Sequence, residues 1–387
     1  MTADGKWDLT EPASRGLTDA ERRATRLYAD DLLMTKSSGS ALHLGKTALV
    51  TPAIEEMGCC FSNFMQRLRV SAGLNPRYLY WFLNSSLARE QFNYYGTTST
   101  GLANLSASLI GGLRLAIPGI DCQIAIADRL DRSIPRLDEV AFEYRRIAEL
   151  VDARRPAAIA EALLGRSSRD PSLPMHEWAS GFARSDAMLP LGHCVIRATY
   201  GFTNPMPTES DGPYMLTAND IGDGRIDYEN ARRTSEQAFA QAITDKARPL
   251  KGDVLLTKDG TLGRVAVADG RRVCINQSVA LVRPMARLDS DYLAALLRSA
   301  PYQEVMNHHA GGTTIKHIYV TRIVKMPIPL VDLSDQSEGV AAVSVIDQRT
   351  DALMGDLVRQ IRLMEERRQA LIADAVSGRL DVSAEAA

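Results

Sequence analysis

Two rhythms of hydrophobic and polar positions run through this chain, and each occurs twice. Steps of alternately four and three pass through Leu130, Ile134, Leu137, Ala141, Tyr144, Ala148, Val151, Arg155, Ala158 and Ala162. The same steps later pass through Val343, Asp347, Thr350, Met354, Leu357, Ile361, Met364, Arg368, Leu371 and Ala375. A mostly apolar stripe at this spacing predicts helices that pair along their length. Each copy ends in Gly-Arg, and glycine is the usual residue just past a helix end. Either stripe alone could equally be buried on its own globular domain. The copies keep one frame, however: Arg155 and Arg368, Ile159 and Ile372, Ala162 and Ala375, and Gly165 and Gly378 are all 213 positions apart. A helix of ~40 residues spans ~60 Å, longer than a compact domain needs, so the pair reads as a duplicated spacer.

The second rhythm is that of short strands. After a polar start with a helix predicted over Thr18 to Leu27, Asp31–Lys36 and Leu44–Val50 read as strands flanking a polar loop, and Asn63–Val70 as a third strand. Pro76–Phe92 has helical spacing, a Thr/Gly/Ser loop follows, and Leu105–Ile110 and Leu113–Pro118 read as a short helix and a strand. The first arm then runs from about Asp121 to Leu164, with Pro135 and Pro156 expected to kink or end it. Gly165–Leu189 is Ser/Pro/Arg-rich and reads as a linker.

Beyond the linker the order restarts. Asp253–Arg264 repeats the strand–loop–strand, Asn276 stands for Asn63, Asp291–Ser299 for Arg77–Ser85, the Gly311–Ile318 loop for the earlier Thr/Gly loop, and Met326–Leu330 for Leu113–Ile117. The expected fold is α+β. Two mixed α/β domains are separated by two long antiparallel, coiled-coil-like helices, an internal duplication with pseudo-two-fold symmetry. The expected boundaries are 1–120, 121–166 (first arm), 167–188 (linker), 189–331 and 332–382 (second arm). Before Asp253 the second copy carries strand-like segments around Tyr200 and Tyr214 that have no counterpart before Asp31, leaving the first domain about forty residues short.

Composition narrows the function classes. The chain has 387 residues, 24% of them charged, and a net charge of −2, so any nucleic-acid role needs local basic patches. The five cysteines have no paired metal spacing and suggest no disulfide framework. No signal-peptide pattern or membrane-length apolar run is present, which predicts a cytoplasmic protein.

Together, the Gly252–Arg264 segment, the Gly-Gly-Thr-Thr-Ile-Lys-His-Ile loop ending at Ile318, the Met326-Pro-Ile-Pro-Leu exit and the Arg-Arg-x-Ala-Leu-Ile…Gly-Arg arm end resemble the DNA specificity subunit of type I restriction–modification systems. The resemblance covers Asp31 to Val382. It departs in three places: the first domain lacks its early strands, Pro156 interrupts the first arm, and Asp121-Cys-Gln123 and Asp335-Gln336 only approximate the Glu-Gln pair that opens each arm. It implies two target-recognition domains that read a bipartite double-stranded DNA site, and arms that dock methyltransferase subunits, two being expected, with restriction/translocase subunits as further partners. S-adenosylmethionine, ATP and Mg²⁺ would then belong to those partners and not to this chain. A truncated, non-reading assembly or dimerisation module of the same system is the alternative.

Such a domain contacts phosphates for affinity and base edges for specificity. The candidate cations and hydrogen-bonding residues of the second domain are Tyr200, Thr203, Asn204, Asn219, Lys258, Thr261, Arg264, Arg271, Arg272, Thr313, Thr314, Lys316, His317 and Arg322, with Arg283 adding to the basic bias. In the first domain Lys36 and Lys46 take the places of Lys258 and Arg264. Taken singly, each of these residues reads more readily as part of an ordinary solvated turn than as a DNA contact. No catalytic constellation is found. Asn204-Pro-Met-Pro207 lacks the aromatic residue and the Gly-rich loop of an amino-methyltransferase, and Asp253-x4-Lys258 has no second acid for nuclease chemistry. His193-Cys194 and His308-His309 are isolated pairs, with no metal-ligand spacing.

Overall fold

The computed structural model describes residues 5–38, 43–95, 97–99, 102–164, 188–311 and 316–379. The first part of the chain holds α1 (Asp19–Thr25), β1 (Leu32–Thr35), β2 (Ser37–Ser38), β3 (Thr47–Leu49), α2 (Pro52–Glu56), β4 (Met65–Leu68), α3 (Pro76–Leu83) and α4 (Ser86–Tyr95), then β5 (Thr97–Ser99), β6 (Leu102–Asn104), α5 (Ala107–Gly111) and α6 (Ile120–Leu164). The second holds β7 (Met188–Pro190), β8 (Val195–Tyr200), β9 (Glu209–Leu216), β10 (Arg232–Arg233), α7 (Glu236–Ala242), β11 (Val254–Thr257), β12 (Val265–Val267), β13 (Val273–Ile275) and β14 (Val279–Pro284), then α8 (Ser290–Arg298), α9 (Ala300–His309), α10 (Val320–Ile323), β15 (Pro327–Pro329) and α11 (Leu333–Val376). The long helices α6 and α11 begin 213 positions apart, at Ile120 and Leu333.

Contacts divide the chain into two compact units, Met1–Ile147 with Leu357–Ala387, and Ala148–Asp356. Each unit takes in a piece of both long helices. In the first, an antiparallel sheet of order β3-β1-β4 is backed by Tyr78, Trp81 and Phe82 of α3. Ile126, Leu130 and Ile134 of α6 and Ile372, Ala375 and Val376 of α11 complete that core. The two helix pieces run antiparallel: Asp138 meets Arg368 (3.0 Å) and Arg145 meets Glu365 (2.6 Å). In the second unit, the sheet has the order β12-β11-β14-β8, and a further sheet, β10-β9-β13, lies beside it. There Arg155 meets Asp351 (2.6 Å), Ile159 and Val343 are buried together against Ala295, and a side chain at Gly339 would run into Leu163.

The duplication holds to single hydrogen bonds. Gln123 and Gln336 are both fully buried. The Gln123 amide donates to Gly73 O and Pro118 O and accepts from Asn75 N–H; that of Gln336 donates to Arg287 O and Val331 O and accepts from Asp289 N–H. Each therefore ties the start of a long helix to the N-cap of a helix earlier in the same unit. Those caps, Asn75 on α3 and Asp289 on α8, accept backbone N–H groups of the first turn. Likewise Arg69 grips the buried Asp31, and Arg283 the buried Asp253, through two hydrogen bonds each. Arg283 thus serves the fold and not the basic surface expected of it. The same pairing separates Asp253 from Lys258 across the length of β11, so the two form no half of a nuclease site.

Four expectations need correction. Pro76–Phe92 is two helices, because α3 ends at Asn84-Ser85, where Ser85 Oγ turns back to donate to Phe82 O. α6 runs unbroken through Pro135 and Pro156. A mid-helix proline costs ~3 kcal/mol, and the neighbours Ile134 (1% exposed) and Arg155 (8%) are anchored by packing and ion pairs that outweigh it. Residues Leu113–Pro118 carry no regular secondary structure and form no strand among the described residues, whereas their counterpart β15 has β7 as a partner. The linker ends by 188, where β7 begins; residues 165–187 lie outside the described ones.

The chain before Asp31 also has more of the repeat than its strands suggest. Gly5 and Gly224 share a left-handed backbone (φ +79° and +78°). Gly5 lies against Thr47 O and the Asn84 carboxamide, while Gly224 donates to Val265 O and faces the Arg298 guanidinium. Thr47 and Val265 both open the outer strand of their sheets, and Thr18 and Ser235 cap the helices that follow. Among the described residues the first unit shows no counterparts of β7, β8 and β9.

Candidate nucleic-acid interface

One end of the four-stranded sheet gathers most of the expected residues. Tyr200 closes β8, Lys258 follows β11, Ser278 precedes β14 and Arg264 precedes β12; the register pairs Tyr200 with Ala280 and Thr257 with Val279, which fixes them at the same end. The loops there are built tightly. Ser278 accepts Ala218 N–H at its hydroxyl (2.9 Å) and Lys258 N–H at its carbonyl (2.9 Å), joining the Asn219 turn to Lys258. Gly201 passes so close to Ile275 O that no Cβ would fit, which delivers Thr203 and Asn204, both exposed, to the same region. Gly263 (φ +87°) lies against Gln303, whose amide donates to Gly263 O (2.8 Å), and this shapes the turn that exposes Thr261 and Arg264.

The described residues flanking the Gly/Thr loop, Gly311 and Lys316–Ile318, dock on this turn. Gly260 N–H donates to Lys316 O and Ile318 N–H to Lys258 O, while Gly311 and His317 exchange both backbone hydrogen bonds. Thr313 and Thr314 lie outside the described residues. Lys316 is exposed, with its Nζ 3.3 Å from Asn307 Oδ1. His317 Nδ1 contacts one Asp259 oxygen, and the other takes Lys258 Nζ at 2.9 Å. Lys258 is only 5% exposed, so its charge frames the site from beneath. Its ammonium lies 5.2 Å from the centroid of the Tyr200 ring, and that of Lys246 lies 5.9 Å from it. His317 also stacks edge-on to Tyr319, an exposed ring 4.4 Å away. Arg322, on α10, sits by His309, whose imidazole is held below its usual range by burial and by that cation.

The sheet end thus presents cations, amides and two exposed aromatic rings on a rigid base, a set able to meet phosphates, sugars and base edges. Lys246 and Tyr319 belong to it and escaped sequence reasoning. Lys246 sits in a separate turn twelve positions before Lys258, with no motif around it; Tyr319 was signalled only by its closeness to the basic loop.

Arg271 and Arg272 are elsewhere, at the opposite end of β12, and both are neutralised. Arg272 makes two hydrogen bonds to Glu236 (2.7 and 2.6 Å), and Arg271 pairs with Asp269 (3.3 Å). They border a hollow of about 630 Å³ that Glu209, Asp211 and Tyr214 also line.

In the first unit Lys36 holds the backbone place of Lys258: its N–H donates to Phe64 O, and Leu105 N–H donates to its carbonyl. No tyrosine like Tyr200 covers it, since β8 has no counterpart among the described residues. Lys46 lines a cavity of about 820 Å³ together with Lys6, Arg89, Arg145 and Arg368, facing Asp138 and Glu365. Among the described residues no group of three or more His, Cys, Asp or Glu side chains could hold a metal ion, and no helix is long and apolar enough to cross a membrane.

Comparison with known proteins matches residues 209–363 to the type I restriction modification DNA specificity domain. The chain is 23% identical over 327 residues to the type I restriction enzyme EcoBI specificity subunit of Escherichia coli, covering 79% of this chain and 66% of that one. It is 20% identical over 391 residues to the EcoKI specificity subunit of Escherichia coli K12, covering 97% and 80%. A chain in a solved structure of a type I R-M system shares the fold, with a TM-score of 0.70 at 19% identity over 92% of this chain and 83% of that one. Residues 209–363 thus match the type I restriction modification DNA specificity domain, and most of the chain is similar to type I specificity subunits and shares the fold of the solved chain.

Proposed function

We propose that this chain is the non-catalytic DNA-reading subunit of a type I restriction–modification enzyme, and that it directs partner subunits to a bipartite site. The observation that carries the reading is the end of the four-stranded sheet, where Tyr200, Asn219, Lys246, Arg264, Lys316, His317 and Tyr319 converge on a domain that matches the family model. Exposed Lys316 and Arg264 are suited to phosphate, and Asn204 and Asn219 to base edges in the major groove. The arms would fix the spacing of the half-sites and dock two methyltransferase subunits, with restriction/translocase subunits joining them. S-adenosylmethionine, ATP and Mg²⁺ would be held by those partners. Selection of a randomised duplex library by the chain assembled with methyltransferase subunits tests this: enrichment of two fixed elements with a constant gap supports it, and no enrichment contradicts it.

A second reading has an observation in its favour. The first unit has no counterpart of β8 and β9 among its described residues, so its Lys36 and Lys46 stand without the platform that Tyr200 supplies. On that reading the first unit serves assembly alone. The same selection would then return a single uninterrupted element.

A further inference from the structure

The internal duplication separates what the turn after β11 needs for folding from what it carries besides. In both units the lysine that follows the strand accepts a backbone hydrogen bond from a distant segment: Lys36 O from Leu105 N–H (2.8 Å) and Lys258 O from Ile318 N–H (2.9 Å). One position further along, Ser37 stands opposite Asn104, and Asp259 opposite His317, each in an antiparallel pairing. In the first unit this cross-pair is neutral, Ser37 Oγ donating to Asn104 Oδ1 at 2.7 Å. In the second it is ionic: His317 Nδ1 contacts one oxygen of Asp259, and Lys258 Nζ reaches the other at 2.9 Å. A serine and an asparagine are enough to tie the two segments together, so tying them does not account for the acid.

The neighbours of the pair differ in the same direction. Ser106 and Tyr319 hold equivalent places, each the N-cap of the short helix that follows, α5 or α10. Ser106 caps in the usual way, its hydroxyl accepting Leu109 N–H, whereas Tyr319 makes no side-chain cap bond. The Tyr319 ring is instead 65% exposed and lies edge-on to His317, 4.4 Å away. On the other side of the acid, the buried Lys258 ammonium lies 5.2 Å from the centroid of the Tyr200 ring, which is 44% exposed. Side chains therefore run in one chain from Tyr200 through Lys258, Asp259 and His317 to Tyr319, with an acid at the centre and an exposed ring at each end. An acid repels phosphate, so at a DNA-binding surface it costs affinity and needs another reason to be there.

We propose that Asp259 is a specificity-determining positioning residue of the DNA interface, an inference that rests on the DNA-reading function proposed above. Asp259 withholds the Lys258 ammonium from phosphate and fixes the Tyr200 and Tyr319 rings, through Lys258 and His317, where they meet base edges and thymine methyl groups. Affinity that is blind to sequence is given up, and discrimination is gained.

The test compares the wild-type chain, Asp259→Ser, and Asp259→Ser with His317→Asn, which installs the neutral pair of the first unit. Each is assembled with methyltransferase subunits. Two fluorescent duplexes are titrated by anisotropy at several salt concentrations: one carrying the element that the wild-type assembly selects, and a shuffled one of the same composition. The preference for the selected duplex should fall about tenfold or more in both variants, because the shuffled duplex binds more tightly and with a steeper salt dependence. Amide hydrogen exchange at Gly260 and Ile318 should stay slow in the double variant, as expected of segments that remain tied. If the stranded Lys258 charge unfolds the domain, Lys258→Met added to the double variant removes that charge, and the preference should again be lost. A preference that survives in the folded double or triple variant would overturn the proposal. So would an equal loss of affinity for both duplexes with fast exchange at Gly260 and Ile318, the mark of a merely structural acid. No preference in the wild-type assembly would overturn the DNA-reading function itself, and the proposal with it.

Discussion

Arg155 of α6 donates to Asp351 of α11 at 2.6 Å, and 213 positions later the same two residue types meet with the helices exchanged, Arg368 of α11 on Asp138 of α6. Each arginine is at least seven-eighths buried at its side chain, and each aspartate is more open. One sequence pattern thus makes its own antiparallel partner: wherever a copy carries the arginine, the other carries the acid that it needs.

The ion pairs in the second unit should not be equal in worth. Asp347 serves two buried arginines, Arg155 (3.5 Å) and Arg298 (2.7 Å), and Asp223 completes the grip on Arg298. Removing a partner from a buried pair typically costs about 3–5 kcal/mol, while an exposed pair is worth about 1 kcal/mol or less. Asp347→Ala is therefore expected to lower stability by about 3 kcal/mol or more, and Asp351→Ala, whose carboxylate is largely exposed, by about 1 kcal/mol. Urea denaturation would measure both, and the reverse order would refute this ranking.

Gln336→Leu keeps the side-chain volume but leaves Asp289 N–H, Arg287 O and Val331 O without their buried partner. Each unsatisfied group costs about 1–3 kcal/mol, so a loss of about 3 kcal/mol or more is expected, and a similar one for Gln123→Leu. A loss below about 1 kcal/mol at either site, from the same denaturation curves, would show that the amide is not holding the helix start.

How far the sequence disclosed this molecule depended on whether a feature repeats locally. The arms were legible because Arg155/Arg368 and Gly165/Gly378 keep one offset and the stripe between them has helical spacing. The proline reading failed at Pro156 because what holds that turn, Asp351 on Arg155, is nearly two hundred positions away. The Gly5 segment was hidden for another reason: Gly5-Lys6-Trp7-Asp8 and Gly224-Arg225-Ile226-Asp227 share glycine, a cation and an acid, but the matching backbone turn and its neighbours appear only in three dimensions. At the candidate interface, residue types were legible and pairings were not. Arg272 looks like a DNA-facing cation until Glu236, thirty-six positions earlier, is found holding it.

Thiol reactivity should divide the cysteines. Burial pushes the Cys274 thiol up to about 12, so at pH 8 its thiolate, the reacting species, is suppressed about a thousandfold relative to an ordinary thiol. The fraction ionised rises with pH, yet stays small throughout the range in which the fold survives. Iodoacetamide labelling followed by peptide mass spectrometry should modify the half-buried Cys59 and Cys60 and leave Cys274 intact. Comparable labelling of all three would mean that β13 is not sealed.

Cations that meet phosphate should reveal themselves by salt dependence. Lys316→Ala and Lys246→Ala are each expected to weaken DNA binding for all sequences alike and to lower the slope of log K against log salt by about 0.9. Arg272→Ala, already neutralised by Glu236, should leave affinity within about twofold. Fluorescence anisotropy on labelled duplexes at several salt concentrations distinguishes them; an Arg272→Ala effect equal to that of Lys316→Ala would move the interface to the other end of the sheet.

The most direct measurement is a methylome. The chain would be co-expressed with type I methyltransferase subunits in a host lacking its own, as wild type and with Asn219→Ala and Lys316→Ala together. The expected result is methylation at a split motif of fixed gap for the wild type, with one half of that motif relaxed or lost in the variant and the other half kept. Methylation by the wild type that the variant leaves unchanged, or no methylation at all, would contradict a DNA-reading role for this end of the sheet.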